Sequence, residues 1–383
     1  MVDLDLAQHP HRRWNPLLES FVLCSPHRTK RPWNGAEESA NFQKLPEFLP
    51  DCYLCPGNVR ATGAKNDSYV STYVFENDYA ALVPAKVERK EEDNNHIAAQ
   101  LFRCEPVRGQ CFVLCFHPRH DLTLAQMTTP PLSARNNIVP IIEAWQHLYE
   151  SIAKENAFVR YIQFFENKGS AMGCSNPHPH GQVWSMDYIP DEPLQEMKSL
   201  RKFATDASNS SAKGPRDNLD RPCLLLEYAM MELCAPGRPR VVTKNDDFVA
   251  LVPYWAVWPF EILLLPHRRF IPSVAELAPN ETISLAEILG EVACRFDNLF
   301  KTSFPYSMGI HQRPTPVSSC HQDNDDSDYA LLHFHFYPPL LRSATVRKFL
   351  VGFEMMAEPQ RDITAEAAAA RLRNCATTHY MAG

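Results

Sequence analysis

No long apolar run occurs in this chain. Its longest hydrophobic stretches, such as Glu261 to Pro266, are interrupted within a few residues. That is far short of the roughly 20 residues a membrane-spanning helix needs. The first stretch, Met1 to Trp14, is polar and rich in His and Arg, so it does not read as a secretory signal. Positive charge is not in excess either. The net charge is −7 at pH 7 and the pI is near 6.1, which gives no electrostatic reason to expect nucleic acid or a membrane as partner. Local Arg and Lys can still bind phosphate in an acidic protein. The twelve cysteines lack the spacing of a secreted module, so buried thiols in a reducing, cytoplasmic setting are expected. Disorder is excluded as a default by 45% hydrophobic and 22% charged residues. A chain of 383 residues can bury one large core or two medium ones.

What the chain does contain is an internal repeat. Asp78-Tyr79-Ala80-Ala81-Leu82-Val83-Pro84 returns as Asp247-Phe248-Val249-Ala250-Leu251-Val252-Pro253. In each copy an apolar strand ending in Pro and His follows, over Cys111 to His120 and over Glu261 to His267. Next, apolar residues recur at helical spacing, at Ile138, Ile141, Ile142, Trp145, Leu148, Tyr149 and Ile152, and at Leu285, Ile288, Leu289, Val292, Phe296 and Leu299. Each copy then reaches a His-x-His, His178-Pro179-His180 and His333-Phe334-His335. Aromatic or apolar runs predict strands over Phe112–Phe116, Val159–Phe165, Gln182–Ser185, Leu224–Tyr228, Arg240–Thr243 and Ala330–Tyr337. The Ala-rich Ile363–Arg373 stretch predicts a helix. Two similar α+β halves, fused through a largely antiparallel sheet and one core, follow. Three polar stretches, Lys86–Asn95, Thr205–Asp220 and Pro314–Asp328, read as surface insertions.

The segment from Asn167 to Gln182 carries the most chemistry. It reads Asn-Lys-Gly-Ser-Ala-Met-Gly-Cys-Ser-Asn-Pro-His-Pro-His-Gly-Gln. Gly169 and Gly173 let backbone approach a ligand closely, with N–H groups suited to phosphate oxygens. Pro179 stiffens the backbone between the two histidines. A neutral imidazole is nucleophilic near pH 7. Its attack on a phosphoryl group leaves a phosphoramidate that a second phosphate can discharge. His9-Pro10-His11 repeats the tripeptide, but Arg12-Arg13-Trp14 follows and no glycine loop does. Structural or surface contacts are expected there. Cys52-Tyr53-Leu54-Cys55 is half of a tetrahedral zinc site by spacing, and no second Cys-x-x-Cys exists. On these residues alone a redox pair or two buried thiols fit as well.

The Asn167–Gln182 segment resembles the active-site signature of the galactose-1-phosphate uridylyltransferase family, within the histidine-triad superfamily. The resemblance runs from His9 to about Gln360. It implies two fused histidine-triad-like repeats, residues 1–200 and 221–383, sharing a half-barrel sheet with flanking helices. It also implies ping-pong transfer of UMP from UDP-glucose to galactose 1-phosphate through a uridylyl group on His180. Gln182 stands where related hydrolases have a third histidine, and an amide can donate to a phosphoryl oxygen without protonating anything. By the same resemblance Cys52, Cys55, His120 and His178 hold zinc, with His117 a rival to His120. Glu196, His311, His333 and His335 form a second, structural site for iron or zinc. UDP-sugar binding falls to Arg28, Arg31, Asn77, Asn167, Gly173, Ser175 and Gln182. The segment Arg342–Glu354 is expected to reach a neighbouring subunit's site in a homodimer, with Lys348, Phe349, Val351, Gly352, Phe353, Glu354 and Gln360 at the hexose. Phe353 stands where the family commonly has Tyr.

Overall fold

The computed structural model describes residues 3–30, 45–87, 96–315 and 326–382. A small sheet joins β1 (His11–Asn15) and β2 (Ser20–Cys24), with a late strand parallel to β2. The main sheet has nine strands: β3 (Tyr73–Glu76), β4 (Gly109–Cys115), β5 (Tyr161–Lys168), β6 (His180–Met186), β7 (Val241–Lys244), β8 (Phe248–Leu251), β9 (Ile262–Pro266), β10 (Tyr306–His311) and β11 (His333–Tyr337). The late strand of the small sheet is β12 (Gln360–Arg361). Helices are α1 (His96–Leu101), α2 (Ala134–Asn137), α3 (Val139–Glu155), α4 (Asp191–Thr205), α5 (Leu224–Cys234), α6 (Pro279–Phe300), α7 (Phe353–Met356) and α8 (Ala365–Arg373).

The main sheet runs β3-β4-β6-β5-β10-β11-β9-β8-β7, and every neighbouring pair is antiparallel. The first half contributes the order 3-4-6-5 and the second the order 8-9-11-10, meeting where β5 pairs with β10. The duplication seen in sequence is therefore a duplication of sheet topology. Its marker heptapeptide is less regular. The second copy forms β8, whereas the first is a turn-rich excursion after β3 that rejoins β4 when Gly109 N–H donates to the Val83 carbonyl at 3.0 Å.

Alternation along the strands gives the sheet two different faces. On β6, Gly181, Val183 and Ser185 are buried while His180, Gln182 and Trp184 are half-buried. The first face carries a core that crosses both halves, with Leu114, Phe164 and Val183 joined to Leu264, Ile310 and Phe334. α3 and α6 close it, because Ile141, Trp145, Leu148 and Ile152, and Leu285, Ile288, Leu289, Val292 and Phe296, repeat at helical spacing. Each such side chain contributes about 1.5–3 kcal/mol by leaving water. α6 begins cleanly, with Pro279 in its first turn and Glu281 accepting the Ala278 N–H at 2.8 Å. On the other face, α4, α5 and the β2 region cover the second half. Over the first half lies the Cys52–Tyr69 loop, packed on Val113 and Cys115.

One predicted strand is a helix. Leu224–Tyr228 opens α5, where Leu224, Leu225, Leu226 and Ala229 are buried and Glu227 lies in the first turn. A short apolar run cannot be assigned by period alone, and Leu, Glu, Ala and Met all favour helix. The other predicted strands and helices appear, with ends shifted by a few residues. Among the described residues no helix is long and apolar enough to cross a membrane.

Candidate active site and metal clusters

β6 starts at His180, so the Asn167–Gln182 segment reaches the sheet as a loop that becomes strand. Gly169 leaves β5 with φ +85°, and Gly173 closes a 3-10 turn over Ser170–Met172 with φ +79°. A Cβ on Gly173 would meet nothing within 4 Å, so its backbone is open to a ligand. The ring of His180 is half-buried, and burial holds its pKa below the usual value while its bond to the His178 backbone opposes the shift. Its Nδ1 lies 2.7 Å from the His178 carbonyl. A carbonyl only accepts, so Nδ1 carries the hydrogen and Nε2 keeps its lone pair. His180, Gln182, Asn77 and Ser175 line one pocket of about 290 Å³, together with Leu54, Phe75, Asp78 and Val113. Asn167 lies on a second, smaller pocket that also touches His180.

The supporting cast was not readable from the motif. Trp184 Nε1 donates to Gln182 Oε1 at 3.2 Å, which turns the Gln182 amide so that its NH₂ is available to an acceptor. Phe165 packs edge-on against Trp184. Asp78 accepts from Thr62 Oγ1 at 3.0 Å and pairs with Arg60 at 3.2 Å, and Arg60 in turn lies over Phe75.

Cys52, Cys55, His120 and His178 offer four ligand atoms that all lie within 4.8 Å of one another. Cys55 Sγ stands 3.5 Å from His178 Nδ1 and 3.7 Å from His120 Nδ1. A tetrahedral zinc with Zn–S of about 2.3 Å and Zn–N of about 2.1 Å sets an S–N edge of roughly 3.6 Å, so the donors fit that ion. Burial raises the Cys55 thiol to about 11 and lowers His178 to about 3. A cation reverses the first effect by favouring thiolate, and the second leaves a neutral imidazole ready to ligate. Tyr69 fixes which nitrogen does so. Its hydroxyl donates to the Leu54 carbonyl at 2.6 Å and lies 3.0 Å from His178 Nε2. The hydroxyl has one hydrogen, so it accepts from Nε2–H and leaves Nδ1 free. Asn176 also joins motif to cluster, accepting the His178 N–H at 3.0 Å and contacting Cys52 Sγ at 3.4 Å. His117 stands apart and accepts the Arg119 N–H instead.

The second cluster gathers Glu196 of α4 with His311, His333 and His335. His311 Nδ1 is 2.6 Å from Glu196 Oε2, and the Nε2 atoms of His333 and His335 are each 3.4 Å from that carboxylate. His333 Nδ1 donates to the Leu331 carbonyl. Both Nε2 atoms are buried and lack a hydrogen-bond partner, the condition a bound cation relieves. Burial alone would raise the Glu196 carboxyl, but the pull of His311 and its neighbours holds it well below the usual range. Burial takes His335 down to about 4. Phe334 and Phe336 point into the core from the same strand, as the alternation required.

The remaining expected residues fall elsewhere. Arg28 pairs with Asp362 at 3.3 Å, and its carbonyl accepts from Arg342. Gln360 is buried and donates to Asp362 at 2.8 Å. Lys348 and Glu354 form an ion pair with each other. Gly352 has φ +55°, and Phe349, Val351 and Phe353 are each at least half exposed. None of these lines the pockets around His180. Arg31 lies outside the described residues. His11 repeats the bond of His180, with Nδ1 2.9 Å from the His9 carbonyl, but its Nε2 accepts from Arg13. That histidine is structural.

Comparison with known proteins agrees with this arrangement. Residues 2–190 match the model for the galactose-1-phosphate uridyl transferase N-terminal domain, and residues 201–383 match the model for the C-terminal domain. The galactose-1-phosphate uridylyltransferase of Schizosaccharomyces pombe is 46% identical over 378 residues, covering 96% of this chain and 95% of that protein. The Saccharomyces cerevisiae protein of the same name is 45% identical, covering 99% and 98%. The fold matches that of an Arabidopsis thaliana ADP-glucose phosphorylase with a TM-score of 0.69 at 21% identity, covering 97% of this chain and 100% of that one. With both family models spanning nearly its whole length, the chain belongs to the galactose-1-phosphate uridylyltransferase family of nucleotidyltransferases.

Proposed function

We propose that the protein catalyses ping-pong transfer of UMP from UDP-glucose to galactose 1-phosphate, with His180 as the covalent carrier, in the cytoplasm. The observation that carries the reading is the locked imidazole of His180, whose Nδ1–H is held by the His178 carbonyl so that the Nε2 lone pair is free for attack. Nε2 attacks the α-phosphorus of UDP-glucose. The Nε2–P bond forms, the P–O bond to the β-phosphate breaks, and glucose 1-phosphate leaves. A phosphate oxygen of galactose 1-phosphate then attacks the same phosphorus, the P–N bond breaks, and UDP-galactose leaves with His180 restored. A phosphate leaving group has a second pKa of about 6, so no strong general acid is needed. The Gln182 NH₂, presented by Trp184, donates to a non-bridging oxygen as charge builds there. Asn77, Asn167, Gly173 and Ser175 hold the nucleotide and its phosphates.

The two clusters act as scaffolds in this reading. Cys52, Cys55, His120 and His178 would hold zinc, and Glu196, His311, His333 and His335 would hold iron or zinc, as nitrogen and carboxylate donors permit. With four protein donors already in place, the first four residues would hold the ion closed to substrate, so that it would stiffen the loop carrying His178 rather than take part in chemistry. The eleven cysteines among the described residues are all free thiols, which supports a reducing compartment. Residues 1–200 and 221–383 form the two repeats, the first carrying the nucleophile.

Of the expected substrate residues, Asn77, Asn167, Ser175 and Gln182 line the pockets at His180, whereas Arg28 and Gln360 meet at Asp362 and Lys348 pairs with Glu354, away from those pockets. A two-fold dimer would unite them. Chemistry is tested with UDP-glucose labelled in its uridine. Label should attach to the protein and be discharged by galactose 1-phosphate. His180→Gly should lose both, and free imidazole should restore glucose 1-phosphate release. Labelling from ADP-glucose in place of UDP-glucose would assign a different nucleotide, and full transfer by His180→Gly without imidazole would remove the carrier.

A further inference from the structure

After α8 the chain returns along α6, where side chains of that helix clasp it. Arg295 Nη1 donates to the carbonyls of Leu372, Arg373 and Cys375 at 3.1, 2.8 and 2.9 Å. Asn298 Nδ2 donates to the carbonyls of Ala376 and Thr378 at 2.7 and 2.8 Å, and its Oδ1 accepts the Tyr380 N–H at 2.7 Å. Cys294 Sγ donates to the Thr377 carbonyl at 3.2 Å. The clasp drives one side chain inward. His379 is 4% exposed. Its Nδ1 accepts the Met381 N–H, so the ring hydrogen sits on Nε2, which lies 3.2 Å from Asp297 Oδ2.

Asp297 gathers three segments. Besides His379, its Oδ1 accepts from Lys168 Nζ at 2.7 Å and from the Phe304 N–H at 2.8 Å. Lys168 is the last residue of β5, and the next residue, Gly169, opens the loop that leads to Gly173, Ser175 and His180. A Cβ on Gly169 would stand 3.1 Å from Pro305 Cβ. The loop therefore departs between a lysine and a turn that are both tied to one buried carboxylate.

We propose that His379 is a positioning residue for the loop at His180, acting through Asp297 to hold Lys168 and the Phe304–Pro305 turn. The proposal rests on reading the His180 pocket as the transfer site. The physical reason is satisfaction of a buried group. Without the His379 donor, Asp297 Oδ2 is buried and unpartnered, and the carboxylate must rotate or admit water. Lys168 follows it, and the start of the loop follows Lys168. Small misplacements of a positioning element slow chemistry more than they weaken binding.

The test uses full-length His379→Ala, His379→Phe and His379→Gln. Phe keeps a ring and lacks the donor, whereas Gln keeps an N–H donor. Thr364→Ala, which removes the α8 cap without touching Asp297, is the control. Measured are amide hydrogen exchange over residues 167–177, kcat and KM for UDP-glucose, and thermal unfolding. Ala and Phe are expected to speed loop exchange about tenfold and to lower kcat about three- to tenfold, with KM within about twofold. Gln should recover most of both. Thr364→Ala should lower the melting point while leaving loop exchange and kcat alone. Wild-type loop exchange in the Phe variant, or an equal change in Thr364→Ala, would overturn the proposal. Absence of uridylyl transfer by the wild type would instead overturn the functional reading, and the exchange comparison would still decide this one.

Discussion

At the scale of single residues, the arrangement turns on hydrogen positions as well as on which groups are present. His180 presents Nε2 because a carbonyl takes Nδ1–H, and His178 presents Nδ1 because the Tyr69 hydroxyl takes Nε2–H. Tyr69→Phe removes that acceptor and leaves all four ligand atoms in place. On the proposed zinc reading, the variant should retain zinc about 10- to 100-fold more weakly, read by competition with a chromophoric chelator, with only a small change in the unfolding curve of the zinc-loaded protein. Retention equal to the wild type's would mean that packing alone orients His178. The contrast with the sequence is instructive. His180, His178, Cys52 and Cys55 were legible because their side-chain chemistry is rare and their spacing is short. Tyr69, Trp184 and Asp78 were not. Tyr69 lies 109 positions from the histidine it orients, and nothing local distinguishes it from a core tyrosine.

At the scale of elements, helices and strands are held in register by a few ion pairs whose charge state sets their value. α8 is docked by Glu366 in its first turn. That carboxylate accepts two bonds from the buried guanidinium of Arg13 on β1, both at 3.0 Å, and one from Arg240 at 2.8 Å. Burial works to raise its pKa, but Arg13 and Arg240 together hold it at about 2, against an ordinary 4.5. A carboxyl depressed in this way adds stability that is complete above the unfolded pKa and is lost as pH falls toward the folded one. Glu366→Gln should therefore cost about 2–4 kcal/mol at pH 7, measured by urea unfolding. The gap between variant and wild type should narrow as pH falls from 4.5 toward 2. A gap that stays constant across that window would show that charge is not what docks α8. Periodicity made α3 and α6 readable, because each buries one stripe against the sheet. It failed at Leu224–Tyr228, where Leu224, Leu225 and Leu226 are buried in succession at the start of α5 and no single stripe stands out.

At the scale of the whole molecule, the two repeats share one sheet and one core, and they have divided the work. The first keeps the glycine loop and His180, the proposed carrier. The second keeps His333 and His335 on the matching strand but turns them toward Glu196 and carries no Gly-Gln after them. What one chain does not bring together is the pocket at His180 and the segment from Lys348 to Glu354, where Lys348 and Glu354 satisfy each other and the apolar side chains between them face outward. An exposed apolar segment flanked by paired charges suits burial against a second copy. In a two-fold dimer each site would take His180 from one subunit and Glu354 from the other. Mixing His180→Gly with Glu354→Ala is the decisive measurement. Each parent homodimer has the same defect in both sites. A heterodimer has one site with neither defect and one with both, so exchange should raise transfer activity well above that of the parents. A statistical mixture puts half the protein in heterodimers, and half of their sites are intact, so recovery should approach one quarter of wild-type activity, as the arithmetic of a two-fold assembly requires. Subunit exchange is followed independently with two affinity tags. Confirmed heterodimers with no gain in activity would show that Glu354 does not complete the His180 site of a second subunit, and would overturn the shared-site reading.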